Sequence, residues 1–152
     1  MLIPVEKAPG FHIVAQLDPE LFSRIFRTYH KYLRDGESWI TFANWLRENV
    51  LFVNENGWIV FSDIVPGASA TMHGGCWNLK RSVPDEFKQL CKVVMEEYNL
   101  YMLCGATPEF AKSALKFLQR LGAEFCGYQP YAGVWNGEPH DVVLSKLEKE
   151  KL

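Results

Sequence analysis

Apolar residues recur at helical spacing in four stretches of the chain. Asp18 and Pro19 precede the first stretch, and an aspartate that accepts a backbone hydrogen bond followed by proline favours a helix start. Apolar side chains three and four positions apart predict one buried face on each helix. The four faces comprise Leu21, Phe22, Ile25, Phe26, Tyr29 and Leu33; Phe42, Trp45 and Leu46; Phe87, Leu90, Cys91, Val94, Met95 and Tyr98; and Phe110, Ala114, Phe117, Leu118 and Leu121.

Short apolar runs bounded by turn residues predict the strands. In residues 54–57 an Asn-Gly pair favours the positive φ of a tight hairpin between two such runs. The predicted strands are residues 11–16, 51–53, 58–61, 68–77, 100–104, 124–128 and 140–144, and the Pro-, Gly- and Tyr-rich residues 129–139 are predicted to connect the last two. The resulting order, β-α-α-β-β-β-α-β-α-β-β, predicts one mixed α/β sheet with helices on its faces.

Local signals set the predicted ends of the later elements. Ser82, Pro84 and Asp85 show a capping-box pattern at the start of the third helix. Thr107 and Pro108 are predicted to begin the fourth helix. Residues 146–152 are mostly charged and are predicted to fray, within a single domain that spans residues 1–152.

Charge and composition exclude several classes of function. The formal net charge of the 152 residues is −2 and the basic residues are scattered, so the sequence predicts no nucleic-acid partner. The chain has no run of about 18 apolar residues, so no membrane helix is expected. The four cysteines form no C-x-x-C pair and lie in apolar stretches, which is typical of reduced core thiols in a cytoplasmic protein.

The element order resembles that of the GNAT acetyltransferase superfamily, and two local features add to the likeness. A strand that ends near Trp77 is followed by a loop and a capped helix, and residues 100–125 resemble the C-terminal half of the family. The resemblance implies a mostly antiparallel sheet of about seven strands with four helices. It also implies acetyl-CoA binding, with the diphosphate held by backbone N–H groups at a helix start formed by Trp77, Asn78, Lys80, Arg81 and Ser82.

The sequence departs from the family pattern at two places. The family loop is rich in arginine and glycine, whereas residues 78–84 keep Lys80 and Arg81 but contain no glycine, and Pro84 lacks an N–H donor. The asparagine and tyrosine that the family places eleven and four residues before its helix-ending glycine are replaced by Ala111 and Leu118. Since the tyrosine is the usual general acid, these departures predict a degenerate acetyl-CoA site, no catalytic residue and no required cofactor.

A further resemblance is to small head-assembly or internal virion proteins of short-tailed bacteriophages. It rests on the chain length, on Gly75-Cys76-Trp77 at a strand end, and on Phe117-Leu118 before a Leu-Gly-Ala turn. It implies a non-catalytic GNAT-like protein that contacts other phage structural or ejection proteins, in the host cytoplasm during particle assembly and in the virion. The alternative is an active N-acetyltransferase that binds acetyl-CoA through an atypical loop.

Two sets of side chains are candidates for function. If the protein acetylates an amine, His73 is the expected base, because the unperturbed pKa of histidine lies near neutrality. His73 and Cys76 are not expected to bind a metal, since residues three apart on a strand point to different faces. Tyr128, Tyr131 and Trp135 are predicted to contact a protein partner or, alternatively, to fold back over the sheet as a lid.

Overall fold

A computed structural model describes residues 8–152, and its elements follow the predicted order. The helices are α1 (Pro19–Tyr29), α2 (Trp39–Glu48), α3 (Val83–Glu97) and α4 (Lys112–Leu121), with short 3-10 turns at His30–Tyr32 and Lys149–Lys151. The strands are β1 (His12–Ile13), β2 (Val50–Val53), β3 (Gly57–Val65), β4 (Ser69–Cys76), β5 (Met102–Pro108), β6 (Glu124–Trp135) and β7 (Glu138–Glu148). No helix within the described residues is long and apolar enough to cross a bilayer.

The strands form one sheet in the order β1-β2-β3-β4-β5-β7-β6. Among residues 8–152 the β4–β5 pair is parallel and the other pairs are antiparallel. The predicted mixed, mostly antiparallel sheet of about seven strands with four helices is therefore confirmed. The parallel pair arises because α3 crosses over between β4 and β5 and returns the chain to the same end of the sheet.

Helices cover both faces of this sheet. Trp58 and Val60 of β3 point to the face covered by α1 and α2, where they pack with Ile25, Phe42 and Leu46. Ile59 and Phe61 point to the opposite face, where α3 and α4 lie. Successive side chains of a strand alternate between faces, so a strand buried on both sides needs an unbroken apolar run.

The β2–β3 turn reverses the chain by a different device from the one predicted. Neither Asn56 nor Gly57 has a positive φ. Instead, the Asn54 side-chain oxygen accepts hydrogen bonds from the backbone N–H groups of Asn56 (2.9 Å) and Gly57 (3.1 Å). An asparagine side chain can thus replace the left-handed residues of a hairpin turn.

Two other local predictions are wrong. Thr107 and Pro108 end β5, and α4 begins only at Lys112. Residues 129–139 belong to a long β6–β7 hairpin, which turns at Asn136 and Gly137, both with positive φ. Irregular pairing between Phe125 and Gly127 and between Gln129 and Gly133 interrupts β6. These irregularities break the two-residue period by which a strand is read from sequence.

The first part of the charged tail belongs to the sheet, so the prediction that residues 146–152 fray is wrong for residues 146–148. Lys146, Leu147 and Glu148 pair with β5, and Leu147 is fully buried in the core against α3 and α4. Lys146 and Glu148 point to the other face and form an ion pair of 2.7 Å. One buried residue between charged neighbours is enough to hold a strand, although composition gives little sign of it.

Truncating Leu147 is expected to destabilise the fold strongly. The change Leu147→Ala leaves a cavity in the core and should lower the free energy of unfolding by about 3 kcal/mol. Leu144→Ala, on the same strand at 37% exposure, is the matched control and should cost less than about 1 kcal/mol. Urea unfolding measures both, and two equally small losses would contradict the placement of the tail in the sheet.

Candidate functional site

The parallel pair β4–β5 opens into a fork. Ser69, Ala70 and Thr71 pair with Met102, Leu103 and Cys104, and the pairing stops there. Beyond it, residues 72–76 stay bonded to β3 while residues 105–108 stay bonded to β7. Each strand therefore keeps its outer neighbour and loses its inner one. The backbone edges that face each other across the fork have no strand to bond.

A cavity of about 570 Å³ lies in this fork. Its walls are the separated parts of β4 and β5, the C-terminal half of α1, and α4. Four basic side chains line it, namely Arg27 and Lys31 on the α1 side and Lys116 and Arg120 on α4. No aspartate or glutamate occurs among the described residues that line it. The fork thus favours an anionic ligand, although the chain as a whole is slightly acidic.

Gly75 lets α1 approach the sheet beside the cavity. A Cβ at this position would lie 2.7 Å from both Thr28 Oγ1 and Trp58 Nε1, which are themselves hydrogen-bonded at 2.8 Å. Gly74 and Gly75 pair regularly with Ile59 and Trp58. The regular pairing leaves no bulge at these glycines, and Gly75 instead permits a close approach between α1 and the strand.

The loop between β4 and α3 lies at one end of the fork. The N–H groups of Trp77 and Asn78 donate to the Asn56 carbonyl at 3.0 and 3.1 Å, so these two amides are already bonded. The amides of residues 79–82 donate no hydrogen bond within the described chain. Lys80, Arg81 and Ser82 are exposed beside them. The loop therefore presents four successive free amides and two cations without any glycine.

Solved structures of similar shape are acetyltransferases. Ribosomal-protein-S5-alanine acetyltransferase from Vibrio fischeri superposes with a TM-score of 0.71 at 14% identity, over 92% of each chain. A putative acetyltransferase from Salmonella typhimurium with its cofactor acetyl-CoA gives 0.68 at 12% identity, over 94% of this chain and 96% of that one. A GNAT-family acetyltransferase from Bacillus anthracis gives 0.66 at 12% identity, over 95% and 98%.

The fold is that of the GNAT acetyltransferases. No protein-family model and no curated protein matches the sequence. The three solved structures come from bacteria and none is a phage protein, so they lend no support to the expected role in phage head assembly or in the virion.

Within this GNAT fold, His73 lies at the wall of the cavity against Tyr29 and Trp45. Its Nδ1 is 3.2 Å from the Tyr29 hydroxyl, and its ring meets Trp45 edge-on with centroids 5.1 Å apart. Burial lowers the pKa of His73 to about 4 and raises the pKa of Tyr29 to about 12. Both groups are therefore neutral at pH 7. The prediction of a His73 base assumes a histidine pKa near neutrality, and that assumption is wrong.

The remaining cavity groups offer no obvious acid. Leu118 lines the cavity where the family pattern has tyrosine, and it has no proton to donate. Cys76 also lines it, but burial raises the pKa of this thiol to about 11 and keeps it protonated at neutral pH. The hydroxyl groups on the wall belong to Thr28, Tyr29, Tyr32, Thr107 and Ser113. The site can therefore bind and orient a ligand, with few groups placed to move a proton.

The other sequence-predicted residues divide into exposed and buried ones. Tyr128 and Tyr131 are 66% and 79% exposed on β6, where a partner can reach them. Trp135 is only 3% exposed and donates from Nε1 to the Tyr32 carbonyl at 2.9 Å, so its assignment as a protein-contact residue is wrong. Among the cysteines, Cys91 is buried as predicted for a core thiol, whereas Cys126 is exposed.

Ser82 directly precedes α3, but its side chain does not cap the helix as the capping-box pattern predicts. Its backbone is helical and its hydroxyl donates to Glu86 Oε2 at 2.9 Å. Its side chain therefore supplies no acceptor to the amides of α3.

Sequence reasoning missed the basic side chains of the cavity and the turn that supports the loop. Arg27 and Lys31 look like ordinary exposed residues of an amphipathic helix, as do Lys116 and Arg120, because only the fork brings the two helices near one ligand site. Residues 54–56 look like turn residues alone. The sequence signal for the supporting role of residues 54–56 is the repeated asparagine, since asparagine side chains often form hydrogen bonds within turns.

The partly buried position of His73 beside Tyr29 and Trp45 should make the protein sensitive to acid. Its pKa is about 4 when folded, against an ordinary value of 6.5, so the unfolded chain binds an extra proton between these values. Stability from this group is complete above pH 6.5 and falls as the pH drops towards 4. Between pH 7.5 and pH 5 the wild type should lose about 2 kcal/mol more than His73→Gln. Urea unfolding at both pH values measures this, and parallel losses would show that His73 is not buried as a neutral group.

Proposed function

We propose that the protein binds acetyl-CoA in the β4–β5 fork and transfers the acetyl group to an amine. The observation that carries the proposal is the fork itself, an anion-favouring cavity between two strand edges whose backbone groups are unpaired. The similar acetyltransferase from Salmonella typhimurium was solved with its cofactor acetyl-CoA. The cofactor would supply an acyl group already activated as a thioester.

The strand edges suit the amide-containing arm of the cofactor. Residues 72–76 point alternate N–H and C=O groups away from β3 into the fork. A ligand with amides can bond to such an edge as an added strand would. The pantetheine arm of coenzyme A contains two amides, so the open edge of β4 provides matching donors and acceptors.

The loop and α4 suit the phosphate groups. The four free amides of residues 79–82 lie directly before a helix start, which is a favourable place for phosphate oxygens. Lys80 and Arg81 add charge at this end, and Lys116 and Arg120 add charge on α4. A loop without glycine therefore still supplies amide donors, which removes the main sequence-based argument against cofactor binding.

Catalysis at this site would depend mostly on positioning. An unprotonated amine would be held near the thioester carbonyl, where its nitrogen would form the new C–N bond as the C–S bond breaks and its surplus proton would pass to solvent. His73 and Tyr29 remain neutral at pH 7 and can orient such a group by hydrogen bonding. With Leu118 in place of a general acid, the leaving thiolate would be protonated by solvent.

A second candidate function is protein binding without catalysis. Tyr128 and Tyr131 are large, exposed aromatic residues on the outer strand, and such residues are favoured anchors at interfaces. This candidate needs no ligand in the fork. A cofactor-binding measurement therefore separates it from acetyl transfer.

Binding of coenzyme A is the first test. Saturating coenzyme A at about 100 times its dissociation constant should stabilise the folded protein by about 2.7 kcal/mol, seen as a rise in melting temperature. The double change Lys80→Ala with Arg81→Ala should weaken binding about tenfold or more, because it removes charge from the phosphate end. Lys92→Ala, an exposed lysine further along α3, is the matched control and should bind as the wild type does.

Blocking the cavity completes the test. Ala106→Trp places a large ring in the fork from an exposed position on β5, so it should abolish binding while the ligand-free melting temperature stays near that of the wild type. Wild-type protein that shows no shift with coenzyme A, or Ala106→Trp protein that binds it normally, would contradict the proposal.

A further inference from the structure

The β2–β3 turn holds the start of the loop that follows β4. The Asn56 carbonyl accepts from the N–H groups of both Trp77 and Asn78. The neighbouring Glu55 carbonyl accepts from Trp77 Nε1 at 2.7 Å and from Asn78 Nδ2 at 3.2 Å. Four hydrogen bonds to two adjacent carbonyls fix the direction in which the chain leaves the sheet. The free amides of residues 79–82 begin directly after this anchor.

The turn is itself closely packed and hydrogen-bonded. The Asn54 side chain bonds to two of its amides, and a Cβ at Gly57 would overlap the Gly75 carbonyl oxygen. Asn54 is 5% exposed and Asn56 only 1% exposed. Buried polar side chains cost free energy unless they are bonded, so this cluster requires an explanation.

Glu86 joins the turn to the start of α3. Its Oε1 accepts from Asn54 Nδ2 at 2.9 Å and from Asn56 Nδ2 at 3.1 Å. Its Oε2 accepts from the Ser82 hydroxyl at 2.9 Å. The carboxylate thus ties the Ser82 end of the 77–82 loop to the same turn whose carbonyls hold the Trp77 end. Hydrogen bonds to a charged acceptor are stronger than neutral ones, so the tie is firm.

Asn56 is not fully satisfied by this arrangement. Its Oδ1 is buried without a hydrogen-bond partner among the described residues. An apolar residue of similar size would avoid that cost but could not donate to Glu86. Local violations of this kind tend to occur where a residue serves a function rather than stability.

We infer that Asn54, Asn56 and Glu86 form a polar clamp that positions the amides of residues 79–82 for the cofactor diphosphate. The inference rests on the proposed function, and it adds how the amides that would bind the diphosphate are held in place. Glycines would let a loop wrap closely around phosphate. Here the loop has no glycine, and hydrogen bonds from the β2–β3 turn hold its backbone on the side away from the ligand. The three residues are positioning residues, because they act through the loop and not on the ligand.

The charge of Glu86 opposes this role and makes the clamp testable. A carboxylate close to a diphosphate weakens binding by repulsion, whereas the same carboxylate strengthens binding by holding the loop. Glu86→Gln removes the charge but keeps an oxygen that can accept from the asparagines. Glu86→Ala removes both the charge and the clamp. A merely electrostatic role predicts that the two changes tighten binding alike.

Calorimetric titration with coenzyme A distinguishes these roles. Glu86→Ala and Asn56→Ala should each weaken binding about tenfold, the usual effect of losing hydrogen bonds to a charged group. Glu86→Gln should bind at least as tightly as the wild type. Asp85→Ala removes the adjacent exposed carboxylate on the same first turn of α3 and is the matched control, with no loss expected. Pantetheine, which lacks the diphosphate, should bind all variants equally in NMR titrations.

Each outcome decides the inference. If Glu86→Ala and Asn56→Ala bind coenzyme A as tightly as the wild type, or lose pantetheine binding in parallel, the clamp is overturned while the proposed function stands. Wild-type protein that binds no coenzyme A overturns both. If substitutions of the buried residues prevent folding, Trp77→Phe supplies the answer, because it removes the hydrogen bond to the Glu55 carbonyl while keeping an aromatic ring beneath Arg24, and it should weaken coenzyme A binding severalfold.

Discussion

The end of the β4–β5 pairing at Thr71 and Cys104 is the constraint on which the rest of the site depends. Two strands that part while remaining bonded to their outer neighbours leave backbone groups with no partner inside the sheet. Unpaired backbone groups are costly unless solvent or a ligand satisfies them. The opening also lets helices on opposite faces of the sheet, α1 and α4, place basic side chains around one cavity. Shape, hydrogen bonding and charge at the site thus share one origin.

Elements and their order could be predicted from the sequence because they depend on local periodicity. The four apolar helix faces and the strand that contains Trp58 and Phe61 are examples, and they led to the correct fold. The length of the last hairpin was missed, because Gly127 and Tyr131 have positive φ in β6 and disturb its alternation. The tail was missed because its charged residues conceal the single core residue Leu147.

The site was harder to predict, since its properties come from residues far apart in the chain. The absence of glycine before α3 suggested that diphosphate binding was lost, yet the free amides of residues 79–82 depend on bonds from the β2–β3 turn more than 20 positions earlier. The prediction of a His73 base depends on the ordinary pKa of histidine, which burial against Tyr29 and Trp45 lowers. Trp135 was read as exposed because its segment looks like a loop, whereas its indole is bonded to the Tyr32 carbonyl.

The two irregularities in β6 also bear on how the molecule behaves at high concentration. An outer strand of twelve residues would normally offer a long template for sheet extension between molecules. Here the ladder is broken after Phe125 and again after Gln129, and the opposite outer strand, β1, has only two residues. Within residues 8–152, neither margin of the sheet offers a neighbouring copy a long, regular row of donors and acceptors. Tyr128 and Tyr131 are therefore exposed on an outer strand that is poorly suited to edge-to-edge pairing with another molecule.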